Sequence, residues 1–297
     1  MRSKFNDYVS EVLEPTLLLA FLISLVGIAA AASYGGISYA NSFLVVVGSV
    51  LAQMSVNLTN DYHDYASGLD RESAKTKFSG GSRLVASGAV KHKDVLFIGI
   101  AAAAIAGIIG LYLAFAVSLW ILALIAIGAV AIFAYTKYIT RFPLLPEPFV
   151  MFAFVLVGMG SYAVAHGSFT GIYAALPTII PAGVLGGIAL LANEVPDAEI
   201  DKKFGRRHAV IVFNSNRKTS AYYIGLEAFT YALVLYGVIR SILNPFFLLV
   251  FVTLPVAAYV GVGIMKYRNP QSYEKYMAAN ITAIFVYQAL LVIAYSL

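Results

Sequence analysis

Long apolar stretches separated by short polar breaks run the length of the chain, and their spacing predicts helices rather than strands. Nine such stretches approach the ~20 residues needed to cross a hydrocarbon core. They cover about 13–34, 40–60, 94–115, 118–135, 148–166, 173–192, 219–239, 243–265 and 274–296. The breaks have physical causes. Tyr34-Gly35-Gly36 supplies a turn, the stretch from Pro143 to Pro148 cannot continue a helix, and Asn244-Pro245 and Asn269-Pro270 are punctuation of the same kind. The pattern predicts an all-α, polytopic membrane bundle of nine transmembrane helices, with residues 1–297 forming a single integral-membrane domain.

Charge placement tests this expectation independently. With the N-terminus inside, Arg2 and Lys4 are cytoplasmic. So are Arg71, Lys75, Lys77, Arg83, Lys91 and Lys93 after the second helix, and Lys137 and Arg141 after the fourth. Lys202, Lys203, Arg206, Arg207, Arg217 and Lys218 follow the sixth, and Lys266, Arg268 and Lys275 the eighth; only Arg240 falls outside the pattern. This is the positive-inside distribution of a multi-pass cell-membrane protein, and it puts the C-terminus outside. The first apolar run reads as a true span, since it is too long for a cleavable signal and lacks a clear cleavage site.

Composition narrows the chemistry. Only 12% of residues are charged and mean hydropathy is +0.82, against about 25% charged in a soluble domain. A net charge of +5 does not point to nucleic acid here, because the basic residues follow membrane topology. The absence of cysteine excludes disulfides and thiolate metal sites. The four histidines, His63, His92, His166 and His208, are scattered and predict no histidine metal cluster.

Two acidic helix ends stand out. The second helix runs into Asn57-Leu58-Thr59-Asn60-Asp61-Tyr62-His63-Asp64, where Asn57, Asn60, Asp61 and Asp64 fall within about 100° of arc on a helix. The sixth runs into Asn193-Glu194-Val195-Pro196-Asp197-Ala198-Glu199-Ile200-Asp201, with Asn193, Asp197 and Asp201 at i, i+4 and i+8. Both contain Asn-x-x-x-Asp, both end even-numbered helices, and both therefore face the cytoplasm. Carboxylates stacked on one face repel each other unless a cation is present. Mg²⁺ prefers carboxylate oxygens and substrate phosphates, so two such faces across a cavity would clamp a diphosphate through Asn60, Asp61, Asp64, Asn193, Asp197 and Asp201. The basic residues that follow, Lys77 and Arg83 after the first face and Arg206 and Arg207 after the second, suit the diphosphate oxygens. A solvated helix end is the plainer reading of either segment alone, but two matching segments on one side make it the weaker. The repeat further suggests a duplicated four-helix unit with one helix appended.

At these residues the sequence resembles the UbiA superfamily of intramembrane prenyltransferases. Asn60-Asp61-Tyr62-His63-Asp64 resembles that family's first Asp-rich motif. The run on to Asp70, and Phe78-Ser79-Gly80-Gly81-Ser82-Arg83, are most similar to its MenA-like, quinone-biosynthesis branch. Asn193 through Asp201 to Gly205-Arg206-Arg207 resembles the second motif, and Glu147-Pro148-Phe149 through Gly160-Ser161-Tyr162 the central helix. Glu14-Pro15-Thr16 departs from the Arg-Pro pair that members often carry at the first helix, and Asp64 and Asp70 are further apart than in many relatives. The resemblance implies Mg²⁺-dependent transfer of a polyprenyl chain from its diphosphate to an aromatic acceptor of the quinone-precursor type, with release of diphosphate. Asp64, Asp197 and Asp201 would be catalytic. Tyr135 is a candidate to face the allylic cation with its π cloud, or is one of many interfacial tyrosines among 20. Glu227, inside the seventh helix, is either a functional intramembrane carboxylate or a protonated group hydrogen-bonded to a neighbouring helix, and is left out of the site. An alternative acceptor is a glycerol-phosphate ether lipid. A rival from a different class is an ion-coupled transporter, which would need its carboxylates nearer the midplane.

Overall fold

The computed structural model describes residues 4–12, 14–72, 85 and 87–297, so Lys77 and Arg83 of the expected diphosphate set lie outside the described residues. All regular structure among the described residues is helical. In chain order it comprises α1 (Lys4–Val12), α2 (Thr16–Tyr34), α3 (Tyr39–Ser67), α4 (Leu69–Glu72), α5 (His92–Ala116), α6 (Ile121–Phe133), α7 (Pro146–His166) and α8 (Leu176–Glu194). There follow α9 (Ala198–Lys203), α10 (Ala209–Phe213), α11 (Asn216–Ile239), a 3₁₀ stretch Pro245–Thr253 that continues into α12 (Leu254–Met265), and α13 (Pro270–Ala294).

Eight of these helices are long and apolar enough to cross a membrane, so the chain is a multi-pass helical membrane protein. In hydrocarbon every backbone polar group must be bonded internally, which helices accomplish. Their ends carry the side chains that complete the job. Ser38 accepts from the Asn41 N–H at 3.3 Å, Ser215 from Lys218 at 3.4 Å and Asn269 from Ser272 at 2.9 Å. The fourth expected span differs. It is helical only over Ile121–Phe133, 13 residues, or about 20 Å at 1.5 Å per residue. Gapped turns at Ser118–Trp120 and Ala134–Thr140 take up the rest of the stretch.

The centre of the bundle is α8, whose Ile179, Ile188 and Leu191 are wholly buried among side chains of α2, α7, α11 and α13. Glycines set how closely its neighbours approach. A Cβ on Gly183 would meet the Val155 backbone N at 2.5 Å, and one on Gly187 would meet the Glu147 carbonyl O at 2.9 Å. Gly183, Gly186 and Gly187 thus serve helix packing, as small residues do in membrane interfaces. Gly27 of α2 plays the same part against the Gly158 carbonyl of α7. This tight α2–α7–α8 core holds the ends of α7 and α8 side by side, and that juxtaposition builds the site.

Candidate active site

The first acidic segment is helical, as the spacing of Asn57, Asn60, Asp61 and Asp64 predicts. The helix α3 runs on to Ser67, where Gly68 at φ +89° caps it in the left-handed region. Asn60, Asp61 and Asp64 therefore belong to one continuous helix, with Asp61 and Asp64 buried. Asn60 is locked between two partners. Its amide donates to Asp64 Oδ2 at 3.0 Å, and its Oδ1 accepts from the Thr136 hydroxyl at 2.7 Å. Asn57 instead turns to the start of α2, donating to Thr16 Oγ1 at 2.6 Å.

The second segment is not the single helical face that the i, i+4, i+8 spacing predicts. The helix α8 ends at Glu194, and Val195, Pro196 and Asp197 form a turn before α9. Pro196 has no N–H to donate and its ring clashes with the carbonyl four residues back, which is why the helix breaks there. Asn193 thus ends one helix, Asp197 caps the next and Asp201 lies within it, buried.

Arg206 joins the two segments. Its guanidinium pairs with Asp64 Oδ1 and, at 3.1 Å, with Asp201 Oδ1. The arginine reaches this position because the chain turns sharply at Gly205, at φ +83°, where a side chain would be strained. The turn is pinned to the loop after α6: Arg207 N–H donates to the Thr140 carbonyl at 2.8 Å and Leu144 N–H to the Arg207 carbonyl at 3.1 Å. Burial works against the Arg206 charge, but Asp64 and Asp201 outweigh it and raise its pKa above the ordinary value, so it stays a cation. The Arg207 side chain is exposed.

Around this ion-paired centre lies an open cleft of about 350 Å³, lined among others by His63, Asp64, Lys137, Thr140 and Arg206. Tyr135, just beyond α6, stacks on Phe149 with ring centroids 5.9 Å apart and lies within electrostatic reach of Glu194 and Arg206. On the far side, burial first, and then Asp197 and Glu199, push the Tyr267 hydroxyl up to about 12. Glu227 is buried in α11 and bonded to Tyr223.

One feature of the site has no counterpart in the sequence pattern. His208 is buried with Nε2 3.2 Å from Asp201 Oδ2 and Nδ1 3.7 Å from Glu194 Oε2. Glu147, fully buried in the first turn of α7, accepts the Ala209 N–H at 2.7 Å. The histidines are scattered in sequence and give no visible metal cluster there, but the fold brings Glu147, Glu194 and His208 together. Their separation along the chain hid them.

A helical membrane bundle with two Asn-x-x-x-Asp segments drawn together at one end defines a class of intramembrane enzyme, and sequence comparison identifies it. The chain belongs to the UbiA prenyltransferase family, which it matches over residues 20–287. It is 28% identical over 263 residues to the 1,4-dihydroxy-2-naphthoate octaprenyltransferase of Bacillus subtilis (strain 168), covering 86% of this chain and 81% of that protein. Its fold is similar to that of a digeranylgeranylglyceryl phosphate synthase (TM-score 0.63, 14% identity, 99% of both chains). It is also similar to a UbiA homologue from Archaeoglobus fulgidus bound to DMAPP and Mg²⁺ (TM-score 0.56, 16% identity, 93% of this chain and 97% of that one). The chain is therefore a prenyltransferase, and the transporter reading is set aside.

Proposed function

We propose that this enzyme transfers a polyprenyl chain from its diphosphate to an aromatic quinone precursor in a Mg²⁺-dependent reaction, within one integral-membrane domain. The observation that carries the reading is Arg206 spanning Asp64 and Asp201, which draws both Asn-x-x-x-Asp segments to one cleft. The similarity to a dihydroxynaphthoate octaprenyltransferase supports the aromatic acceptor.

The donor set suits a hard divalent cation, being carboxylate and amide oxygens from Asn60, Asp61, Asp64, Asn193, Asp197 and Asp201. Such an ion would supply Lewis-acid stabilisation of the departing diphosphate. The residues of the chain do the rest. Thr136 fixes the Asn60 side chain, and Asn60 and Arg206 fix the Asp64 carboxylate. Arg206 holds positive charge beside the cleft, where negative charge grows on the leaving group. Lys77, Arg83 and Arg207 are the further diphosphate contacts we assign. Tyr135, stacked on Phe149, is the aromatic group we assign to a developing allylic cation.

Purified enzyme given labelled geranylgeranyl diphosphate should prenylate 1,4-dihydroxy-2-naphthoate with Mg²⁺ and fail with excess chelator. Exclusive turnover of a glycerol-phosphate acceptor would refute the aromatic assignment.

The topology we assign has nine crossings, with the N-terminus and both acidic segments cytoplasmic, the C-terminus outside, and a four-helix unit repeated. Arg206 supports the count. Asp64 lies in the last turns of α3 and Asp201 follows α8, so an even number of crossings must separate two residues bridged at one end of the bundle. That requires the short α6 and its flanking turns to cross along with α5, α7 and α8. Because the chain lacks cysteine, single cysteines report cleanly. Those at the exposed positions Lys202 and Ser272 should label from the cytoplasm, and those at Trp120 and Thr170 from outside. Labelling of the Trp120 and Lys202 positions from one side would refute this topology.

A further inference from the structure

We propose that Glu147, Glu194 and His208 form a second divalent-cation site that takes an ion of borderline softness such as Mn²⁺ or Zn²⁺. None of its three ligands is among the six residues assigned above to the diphosphate-linked ion, although Glu194 lies between Asn193 and Asp197 in the second segment. One ligand atom from each of the three residues lies within 4.8 Å of the other two. Glu147 is fully buried, His208 is 1% exposed and Glu194 8%. Glu147 Oε2, Glu194 Oε2 and His208 Nδ1 are buried without hydrogen-bond partners among the described residues.

The rest of each side chain is already held. Glu147 Oε1 accepts the Ala209 N–H at 2.7 Å, and His208 Nε2 sits 3.2 Å from Asp201 Oδ2. An acceptor carboxylate at that distance calls for the proton on Nε2, which leaves Nδ1 with its lone pair facing Glu194 Oε2. Three lone-pair-bearing atoms then face one another in a low-dielectric interior, an arrangement that is repulsive until a proton or a cation enters. An imidazole whose second nitrogen donates to a carboxylate is the usual setting of a metal-bound histidine.

The fold builds the cluster from three elements. Gly187, against the Glu147 carbonyl, lets α7 and α8 approach closely enough to set Glu147 beside the end of α8, where Glu194 lies. His208 enters at the start of α10 from the same turn that carries Arg206. Imidazole with two carboxylates favours Mn²⁺, Zn²⁺ or Fe²⁺ over Mg²⁺, which has little use for nitrogen. Through the His208–Asp201 contact, the ion would orient a carboxylate of the diphosphate site without binding substrate itself.

The test uses the full chain, purified in detergent, washed with chelator and titrated with Mn²⁺ under electron paramagnetic resonance. One bound Mn²⁺ per chain should show nitrogen coupling from a single imidazole. His208→Gln should abolish the coupling. Glu147→Gln keeps an oxygen for the Ala209 N–H and should weaken that ion at least about tenfold, since losses in outer partners alone typically cost that much. Glu194→Gln serves as a second variant if Glu147→Gln does not fold. An Asp64→Asn/Asp197→Asn variant should keep the nitrogen-coupled ion even if prenyl transfer is lost, which separates this site from the proposed diphosphate site. Absence of a nitrogen-coupled ion in the unmodified protein would overturn the proposal and mean that the two glutamates share a proton instead; its persistence at full affinity in both Glu147→Gln and Glu194→Gln would overturn it too, by showing that the ion is held elsewhere. Loss of the ion in Asp64→Asn/Asp197→Asn alone would overturn it equally.

Discussion

Asp64→Ala and Asp201→Ala are each expected to lower turnover of a prenyl diphosphate by at least about a hundredfold, the usual scale for a central electrostatic group. Each removes a carboxylate partner of Arg206, which lines the cleft, and leaves the local charge unbalanced just where a dianionic leaving group must be held. Folded protein should survive each single substitution, because Arg206 keeps one of its two carboxylate partners in either case. The double variant is different. It strands a largely buried guanidinium, and breaking a buried pair costs about 3 kcal/mol or more. Thermal unfolding in detergent and product formation from labelled donor, measured on all three variants, check both parts. Single variants near normal activity would mean that the site lies elsewhere. A double variant as stable as the singles would mean that Arg206 has another counter-ion.

The sequence pattern reports what repeats along the chain and misses what folding brings in from afar. Apolar periodicity located every long helix, because lipid permits no other way to satisfy the backbone of a spanning segment. Helix ends were less legible. The apolar span was put at about 40–60 with the acidic face carried on to Asp64, and Gly68 is the residue that stops the helix. Polar residues do not end a helix when burial and ion pairing satisfy them, as Arg206 does for Asp64. Pro196 was visible in the second segment, but the regular spacing of Asn193, Asp197 and Asp201 masked its consequence. Arg206 and Arg207 are adjacent in sequence and similar in chemistry, and only the turn at Gly205 decides that the first faces inward. Glu147, Glu194 and His208 share no motif, and nothing short of the α7–α8 packing could have put them together.

Arg206→Ala is expected to change metal and donor binding in opposite directions. In the ligand-free enzyme Arg206 is the cation that neutralises Asp64 and Asp201: it touches one oxygen of each, while Asn60 and His208 touch the others. A divalent ion that uses those carboxylates must compete with the guanidinium. Charge-assisted hydrogen bonds contribute about 1.5–3 kcal/mol, so removing the competitor should tighten Mg²⁺ binding alone by roughly tenfold or more. The same guanidinium, once released, is a cation that lines the cleft for the diphosphate, so donor affinity in saturating Mg²⁺ should fall by a similar factor. A prenyl thiodiphosphate, which ionises poorly, makes the measurement possible without turnover. Ligands that bind only the folded state raise its Tm by mass action, and Mg²⁺ and donor must strengthen each other by equal factors. In the unmodified enzyme the thiodiphosphate should therefore stabilise strongly only with Mg²⁺ present. In Arg206→Ala, Mg²⁺ alone should stabilise more than before, and the thiodiphosphate should add less. Weakening of both together would show that Arg206 only holds the fold, and equal stabilisation by the thiodiphosphate in excess chelator would remove the metal from the site altogether.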